Sequence, residues 1–431
     1  MTERLVFGDL VGLVEPRPLS PDEDGWLAAL VAEVDAADFQ VSLGRSCAAD
    51  RPEPILQRRL DGSWQAGRYI GELRRDGRVL EIRPRLDIAT IAAWAGAVLN
   101  VRIVPRAAHQ HGTSVLIAEL LAATWRAAVV EATRHGLPGL REPRQSQAPY
   151  VRGRLDVSKT LRLRAARRPQ VASVEHPKIF DNPVSRVLVL ADRALDRRLD
   201  RRDWRGARVA EVMPRLRGAA GSRPALPSRR ELDRVRYTPM TLPYKRAAEL
   251  SWQIARNRGL RASATAERTE GVLIDVAELW ELFLVHCAKR AFGARTVTHG
   301  THLRETGSLL QSTTDSSATL GRLYPDIVIG SPDRPAAIVD AKYKPLDEPR
   351  GVDREDLYQL TSYLSARPAT PPPLGMLAFT TFPGQTEFAR AESKGPWQLP
   401  AGNAVHFERL PVVEDECVKA LRALPLPGVN R

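Results

Sequence analysis

Two aspartates and a lysine stand at a spacing that hydrolytic chemistry can use. In the stretch 323–344, LYPDIVIGSPDRPAAIVDAKYK, thirteen residues separate Asp326 from the triplet Asp340-Ala341-Lys342. Residues 326–329 and 337–344 read as two strands. The run 330–335 reads as the turn between them, because a glycine and two prolines interrupt a ladder. Side chains alternate along a strand, so Asp340 and Lys342 share a face with Ile338 and Lys344, while Val339 and Ala341 point the other way, into a core. Two carboxylates can hold Mg²⁺, or Mn²⁺ in its place, through hard oxygen ligands. Such an ion lowers the pKa of a bound water and stabilises charge on phosphate oxygens. A neighbouring lysine positions that water and neutralises developing charge.

A plainer reading competes with this one. Asp-x-Lys is a common surface tripeptide, and charges on an alternating strand ordinarily mark its solvated face. Here the charges interrupt an apolar run, where burying them without a purpose is costly. Three further side chains are candidates. Glu281 lies on the flank of an apolar helix and either snorkels to solvent or points into a site. Gln359 and Tyr363, four residues apart, share one helical face. Cys287 lies on the apolar face of the Glu281 helix and reads as a small core residue. His286 reads as a surface or half-buried histidine with no metal-binding partner.

Elements that can position these groups follow in order. Residues 272–292 read as one helix, with Val272, Val276, Leu279, Trp280, Phe283, Cys287 and Ala291 at helical spacing. After the two aspartate-bearing strands come a helix over 353–364, a strand over 374–381, a strand over 404–410 and a helix over 413–424. This is an α/β domain with a central mixed sheet, expected over 263–431. Residues 1–105 read as a β-rich region with one helix from Pro21 and a hairpin turning at Asp76-Gly77. Residues 106–262 read as mainly helical and basic. There, Val115–Thr133 is a helix ended near Gly136, and the helix start near Pro183 is capped by Asp181 or Asn182. The segment 196–205 alternates charge and reads as a solvated helical face. The fold class is therefore multidomain.

Bulk properties narrow the function. The chain has 431 residues, 43% of them apolar, and a formal net charge of +13. That charge fits a polyanion partner such as nucleic acid, or a high-arginine composition inherited from genome base usage. No apolar run reaches about 18 residues, so no membrane span is expected. Three cysteines, Cys47, Cys287 and Cys417, lie far apart and make neither a disulfide framework nor a metal motif. With no signal-peptide pattern at the start, a cytoplasmic location is expected. No P-loop motif occurs, so any motor is supplied by another chain.

The pattern P-D…D-A-K resembles the PD-(D/E)xK nuclease superfamily. Four ordered pieces sharpen the resemblance: L-W-E at Leu279–Glu281, P-D-I-V-I at Pro325–Ile329, I-V-D-A-K-Y-K at Ile338–Lys344 and L-Y-Q-L-T-S-Y at Leu357–Tyr363. Together they resemble the McrC family, the endonuclease subunits of McrBC modification-dependent restriction systems. Upstream, the hairpin 69–84, R-G-R-L-D at 152–156 and the helix start 181–188 are similar to family segments. Ser185 and Arg85 depart from the asparagine and lysine usual there, and the first 60 residues match no pattern. The resemblance implies Asp326 and Asp340 as metal ligands, with Glu281 as a helix-borne carboxylate aiding the metal or the water. It implies Lys342 as the water-positioning group, Gln359 as a supporting residue, and Lys344 as a phosphate contact. It also implies a hexameric AAA+ GTPase partner of McrB type, engaged through the N-terminal region, and double-stranded, modified DNA as substrate. A non-catalytic activator of the ring, or a self-sufficient nuclease, are the alternatives.

Overall fold

The computed structural model describes residues 3–34, 39–41, 43, 53–99, 112–141, 143–199, 203–256, 269–303, 307–315, 317–346, 352–367, 369–385 and 395–426. Cys47 and the boundary expected near 259–268 lie outside the described residues. The chain forms two compact units, Met1–Leu120 with Ser263–Arg431, and Leu121–Ala262. Division at 105 and 262 into three consecutive parts was expected. Instead, the first and last stretches make one unit, because they share a sheet.

That sheet has the order Arg4–Gly8, Arg78–Arg83, Tyr69–Arg75, Glu270–Asp275, Gln40–Val41. The expected hairpin turns on Asp76 (φ +50°) and Gly77 (φ +76°), the left-handed pair that matches strand twist. Glu270–Asp275 runs antiparallel to Tyr69–Arg75, with Gly271 opposite Leu73 and Leu273 opposite Gly71. Gly71 and Gly271 have φ of +150° and +156°. A Cβ on Gly71 would overlap Val272 O, and one on Gly271 would overlap Glu72 O. The two backbones approach as closely as they do because neither position carries a side chain. This corrects the helix expected from Val272. Residues 272–274 complete a strand, and the helix is Val276–Phe292. Asp275 caps it, accepting from Ala277 N at 2.9 Å and Glu278 N at 3.2 Å. Arg68 Nε donates to the same carboxylate at 2.9 Å. Leu5, Phe7, Leu27, Leu30, Tyr69, Leu80 and Leu273 form the core beneath. The region carries a second helix besides Pro21–Glu33. It is Ile88–Leu99, which buries Ile91, Trp94 and Ala95.

The second sheet has six strands, in the order Val297–His299, Ile327–Ser331, Arg334–Lys342, Leu374–Thr380, Ala404–Leu410, Trp397–Gln398. The first three are antiparallel, the next two run parallel to Arg334–Lys342, and the last is antiparallel again. The sheet is mixed, as expected. The turn is tighter than expected: Ser331 pairs with Arg334, and a register shift at Ile329/Gly330 sets Gly330 (φ +102°) opposite Pro335. A bulge absorbs the proline that was expected to end the ladder. Both faces of Arg334–Lys342 are covered. Val339 is buried, and Ile338 packs on Leu360, Tyr363 and Leu364 of the helix Arg354–Ser365. The face carrying Asp340 is therefore interior, whereas only the Val339 face was expected to be.

The Leu121–Ala262 unit is mainly helical, as expected. It holds most of Gly112–Ala132 together with Pro183–Asp196, Gly206–Ala220 and Pro243–Arg256, beside a three-stranded sheet. Asn182 is the cap of Pro183–Asp196, accepting from Ser185 N at 3.1 Å. The helical face expected over 196–205 is not formed among the described residues. Trp204 is buried there, its Nε1 donating to Asp196 at 3.0 Å, and Arg205 grips Asp192.

Candidate active site

Asp326 immediately precedes the strand Ile327–Ser331, and its Oδ2 accepts from Ala341 N at 2.6 Å. That bond lays Asp326 across the neighbouring strand, at the spacer between Asp340 and Lys342. Asp340 Oδ2 lies 2.6 Å from Lys342 Nζ. Lys342 Nζ also donates to Gln359 Oε1 at 2.8 Å and lies 3.3 Å from Asp356 Oδ1. Gln359 Nε2 in turn donates to the Tyr363 hydroxyl at 2.8 Å. The helix Arg354–Ser365 thus presents Asp356, Gln359 and Tyr363 along one face toward the lysine. A half-buried ammonium with three oxygen neighbours is held in one place, which suits a group that aims a small nucleophile.

Burial pushes the Asp326 carboxyl well above the usual range, and the nearby Glu281 and Asp340 push it further. Asp340 is raised too, first by burial and then by Asp356 and Glu281, against the pull of Lys342. Burial works to lower Lys342, but Asp340 and Asp356 outweigh it and hold the ammonium above its usual value. The pocket concentrates negative charge around one cation. A hard divalent ion relieves such burial and mutual repulsion of carboxylates, so the donor chemistry of Asp326 and Asp340 fits an ion such as Mg²⁺.

Glu281 is expected from the sequence to join Asp326 and Asp340 as a third metal-binding carboxylate. Among the described residues, no group of three or more His, Cys, Asp or Glu is arranged to hold a metal ion. Glu281 acts on Asp326 and Asp340 electrostatically, but its Oε1 lies 2.6 Å from His299 Nε2. Lys344, expected to contact phosphate, pairs with Asp353 and with Asp356 Oδ2 at 2.7 Å. His286, half-buried, is 2.7 Å from Glu414 Oε1, and Cys287 is a buried free thiol.

Two site residues were missed in the sequence. Asp356, 7% exposed, joins Lys342 to Lys344. Its signal was the spacing 356–359–363, which one helical face repeats. His299, 6% exposed, bonds Glu281. Nothing local in the sequence points to it.

A family model of McrBC 5-methylcytosine restriction system components matches residues 64–370. The chain belongs to that family. No curated protein matches it. Among solved structures, it is similar to a chain of the refined half-complex from the tetradecameric assembly of Thermococcus gammatolerans McrB AAA+ hexamers with bound McrC. The match covers 97% of this chain and 98% of that one, at 16% identity and a TM-score of 0.50, a likeness of fold. A chain of the cryo-EM structure of the Thermococcus gammatolerans McrBC complex covers 67% of this chain and 88% of its own length, at 15% identity and a TM-score of 0.40. No helix among the described residues is long and apolar enough to cross a membrane.

Proposed function

We propose that this chain is the DNA-cutting subunit of an McrBC-type restriction system, with a PD-(D/E)xK-type site that hydrolyses phosphodiesters using Mg²⁺. One observation carries the reading: buried Asp340 and half-buried Asp326 and Lys342 converge where two antiparallel strands meet. Asp326 and Asp340 would hold the ion. A bound Mg²⁺ supplies an acidified water and a counter-charge for the phosphate. Lys342, fixed by Gln359 and Asp356, orients the water and offsets charge that develops on the phosphate. Glu281 stands beside the two aspartates as the further carboxylate.

The family and the fold support a dependent role. The solved assembly of similar fold holds McrC on McrB AAA+ hexamers. We infer an AAA+ partner of that type here, whose hydrolysis this chain stimulates, and double-stranded DNA carrying modified cytosine as the substrate. The test is cleavage of methylated and unmethylated plasmid with Mg²⁺, with and without the AAA+ partner and its nucleotide, by the wild type and Asp340→Ala. Cleavage only with partner, nucleotide and intact Asp340 is expected. Cleavage by Asp340→Ala equal to the wild type would sink the assignment of the site. Cleavage without the partner would make the chain a self-sufficient nuclease. Stimulated hydrolysis without any cleavage would leave it an activator of the ring.

A further inference from the structure

His299 occupies a position that the reaction as described leaves unused. It ends the edge strand Val297–His299 and lies opposite Ile327, the residue after Asp326. Its ring is engaged at both nitrogens: Nε2 is 2.6 Å from Glu281 Oε1, and Nδ1 is 2.5 Å from Thr301 Oγ1. One proton arrangement satisfies all three groups. The Thr301 hydroxyl donates to Nδ1, and Nε2–H donates to the Glu281 carboxylate. The imidazole is thereby fixed in orientation before it meets the carboxylate.

The backbone under His299 is tied to the same place. Gly300 N donates to Asp326 O at 3.1 Å, and a Cβ on Gly300 would overlap Pro325 O. The Thr298–Thr301 segment therefore lies directly on the Pro325–Asp326 backbone, at an approach only glycine allows. Glu281 comes from a different element, the helix Val276–Phe292. A glutamate has three side-chain torsions, and fixing one of its oxygens removes most of that freedom. His299 takes Oε1 and leaves Oε2 outside that bond, on a carboxylate that acts electrostatically on Asp326 and Asp340.

We propose that His299, clamped by Thr301, is a positioning residue for Glu281, holding one carboxylate oxygen so that the other serves the Asp326–Asp340 pocket. This rests on the hydrolytic reading of that pocket. His299 touches neither the DNA nor the ion. It acts through Glu281, in the way that outer hydrogen-bond partners orient the groups that do the work.

The experiment uses the full chain with its AAA+ partner, and two readouts. One is plasmid cleavage as a function of Mg²⁺ concentration. The other is Ca²⁺ binding by calorimetry to the chain alone, which needs no turnover. The variants are His299→Ala, His299→Gln, His299→Asn, Glu281→Gln, His299→Ala with Glu281→Gln, and Asp340→Ala as reference. Glutamine places its amide where Nε2 stood, and asparagine places it near Nδ1. His299→Ala is expected to lower cleavage about 10- to 100-fold, to raise the Mg²⁺ needed for half-maximal cleavage and to weaken Ca²⁺ binding. His299→Gln should recover most of the loss and His299→Asn little of it. The double variant should be no worse than Glu281→Gln, because coupled groups are not additive. Stimulation of the partner's hydrolysis should be unchanged throughout.

Equal losses in the alanine, glutamine and asparagine variants would reduce His299 to a packing role and overturn the proposal. So would multiplying losses in the double variant, or wild-type cleavage by His299→Ala. If Asp340→Ala cleaves normally, the hydrolytic reading itself falls. If Asp340→Ala is dead and Glu281→Gln is fully active, only the role given to His299 falls.

Discussion

Trp94 and Trp280 pack with ring centroids 5.0 Å apart, and Trp280 is the residue before Glu281. The same Trp94 ring stacks on Phe283 at 5.3 Å and meets the edge of Tyr343, the residue after Lys342, at 6.3 Å. Arg85 lies over Phe382 at 4.1 Å and over Tyr343 at 5.7 Å, with the wholly buried Asp9 beside it. The first region therefore props two site-bearing elements from behind, through aromatic contact with residues adjacent to Glu281 and Lys342.

Trp94→Ala should cost about 3–5 kcal/mol of unfolding free energy, the usual result of emptying a buried aromatic site. Denaturant unfolding measures it. At a temperature where the variant remains folded, cleavage should fall further than the folded fraction does, because the cavity opens behind Glu281 and Lys342. Cleavage that tracks the folded fraction alone would remove the propping role.

Asp356→Asn should lower cleavage about 10- to 100-fold with the fold intact. It removes a carboxylate that helps hold Lys342 charged and in place and that pushes Asp340 upward. Steady-state cleavage with circular dichroism as the folding control decides it. Wild-type rates in Asp356→Asn would show that Gln359 alone suffices to fix the lysine.

Gly271→Ala should destabilise by about 1–3 kcal/mol. The new methyl meets Glu72 O on a backbone at φ +156°. Gly62→Ala, where a methyl would meet nothing at φ +83°, separates the cost of the unusual backbone from that of the clash. Equal losses in both would mean that the close strand approach contributes nothing.

Acid should weaken the first helix as pH falls from 4.5 toward 2. The Arg17 hydrogen bond holds the Glu23 carboxyl down to about 2, with Ser20 of the capping box adding to it. A lowered folded-state pKa contributes stability that is present above the unfolded value, 4.5, and lost as pH falls toward 2. Glu23→Gln should cost about 1 kcal/mol at pH 7, and the difference from wild type should vanish near pH 2. A pH-independent difference would mean that the pair contributes through packing.

The candidate site was legible where chemistry and periodicity coincided. Asp326, Asp340 and Lys342 broke an apolar strand pattern, and Gln359 with Tyr363 repeated at a helical interval, so type and position pointed one way. Asp356 hid because an acid in a helix's first turn already has a dipole reason to be there. His299 hid because its meeting with Glu281 is tertiary. The strand Glu270–Asp275 was misread because its apolar residues satisfy a helical stripe that really begins at Val276. The deciding fact, Gly271 fitting against Glu72, belongs to a partner strand about 200 positions earlier.

That late-arriving strand bears on how the protein is made. Tyr69–Arg75 leaves the ribosome long before Glu270–Asp275, which pairs along it. Until then, the nascent chain carries the unpaired edge of a sheet, a template for wrong partners. The Leu121–Ala262 unit can fold in the interval, and the first sheet closes only when the segment after it emerges. A gene fragment beginning at residue 263 would deliver the aspartates and the lysine, but neither Trp94 nor the strand that Glu270–Asp275 needs. A fragment ending at residue 262 would keep that edge open for good. The unit that carries Asp326, Asp340 and Lys342 is one folding unit whose sequence is split in two, so the chain can be expected to tolerate exchange of its middle far better than loss of either end.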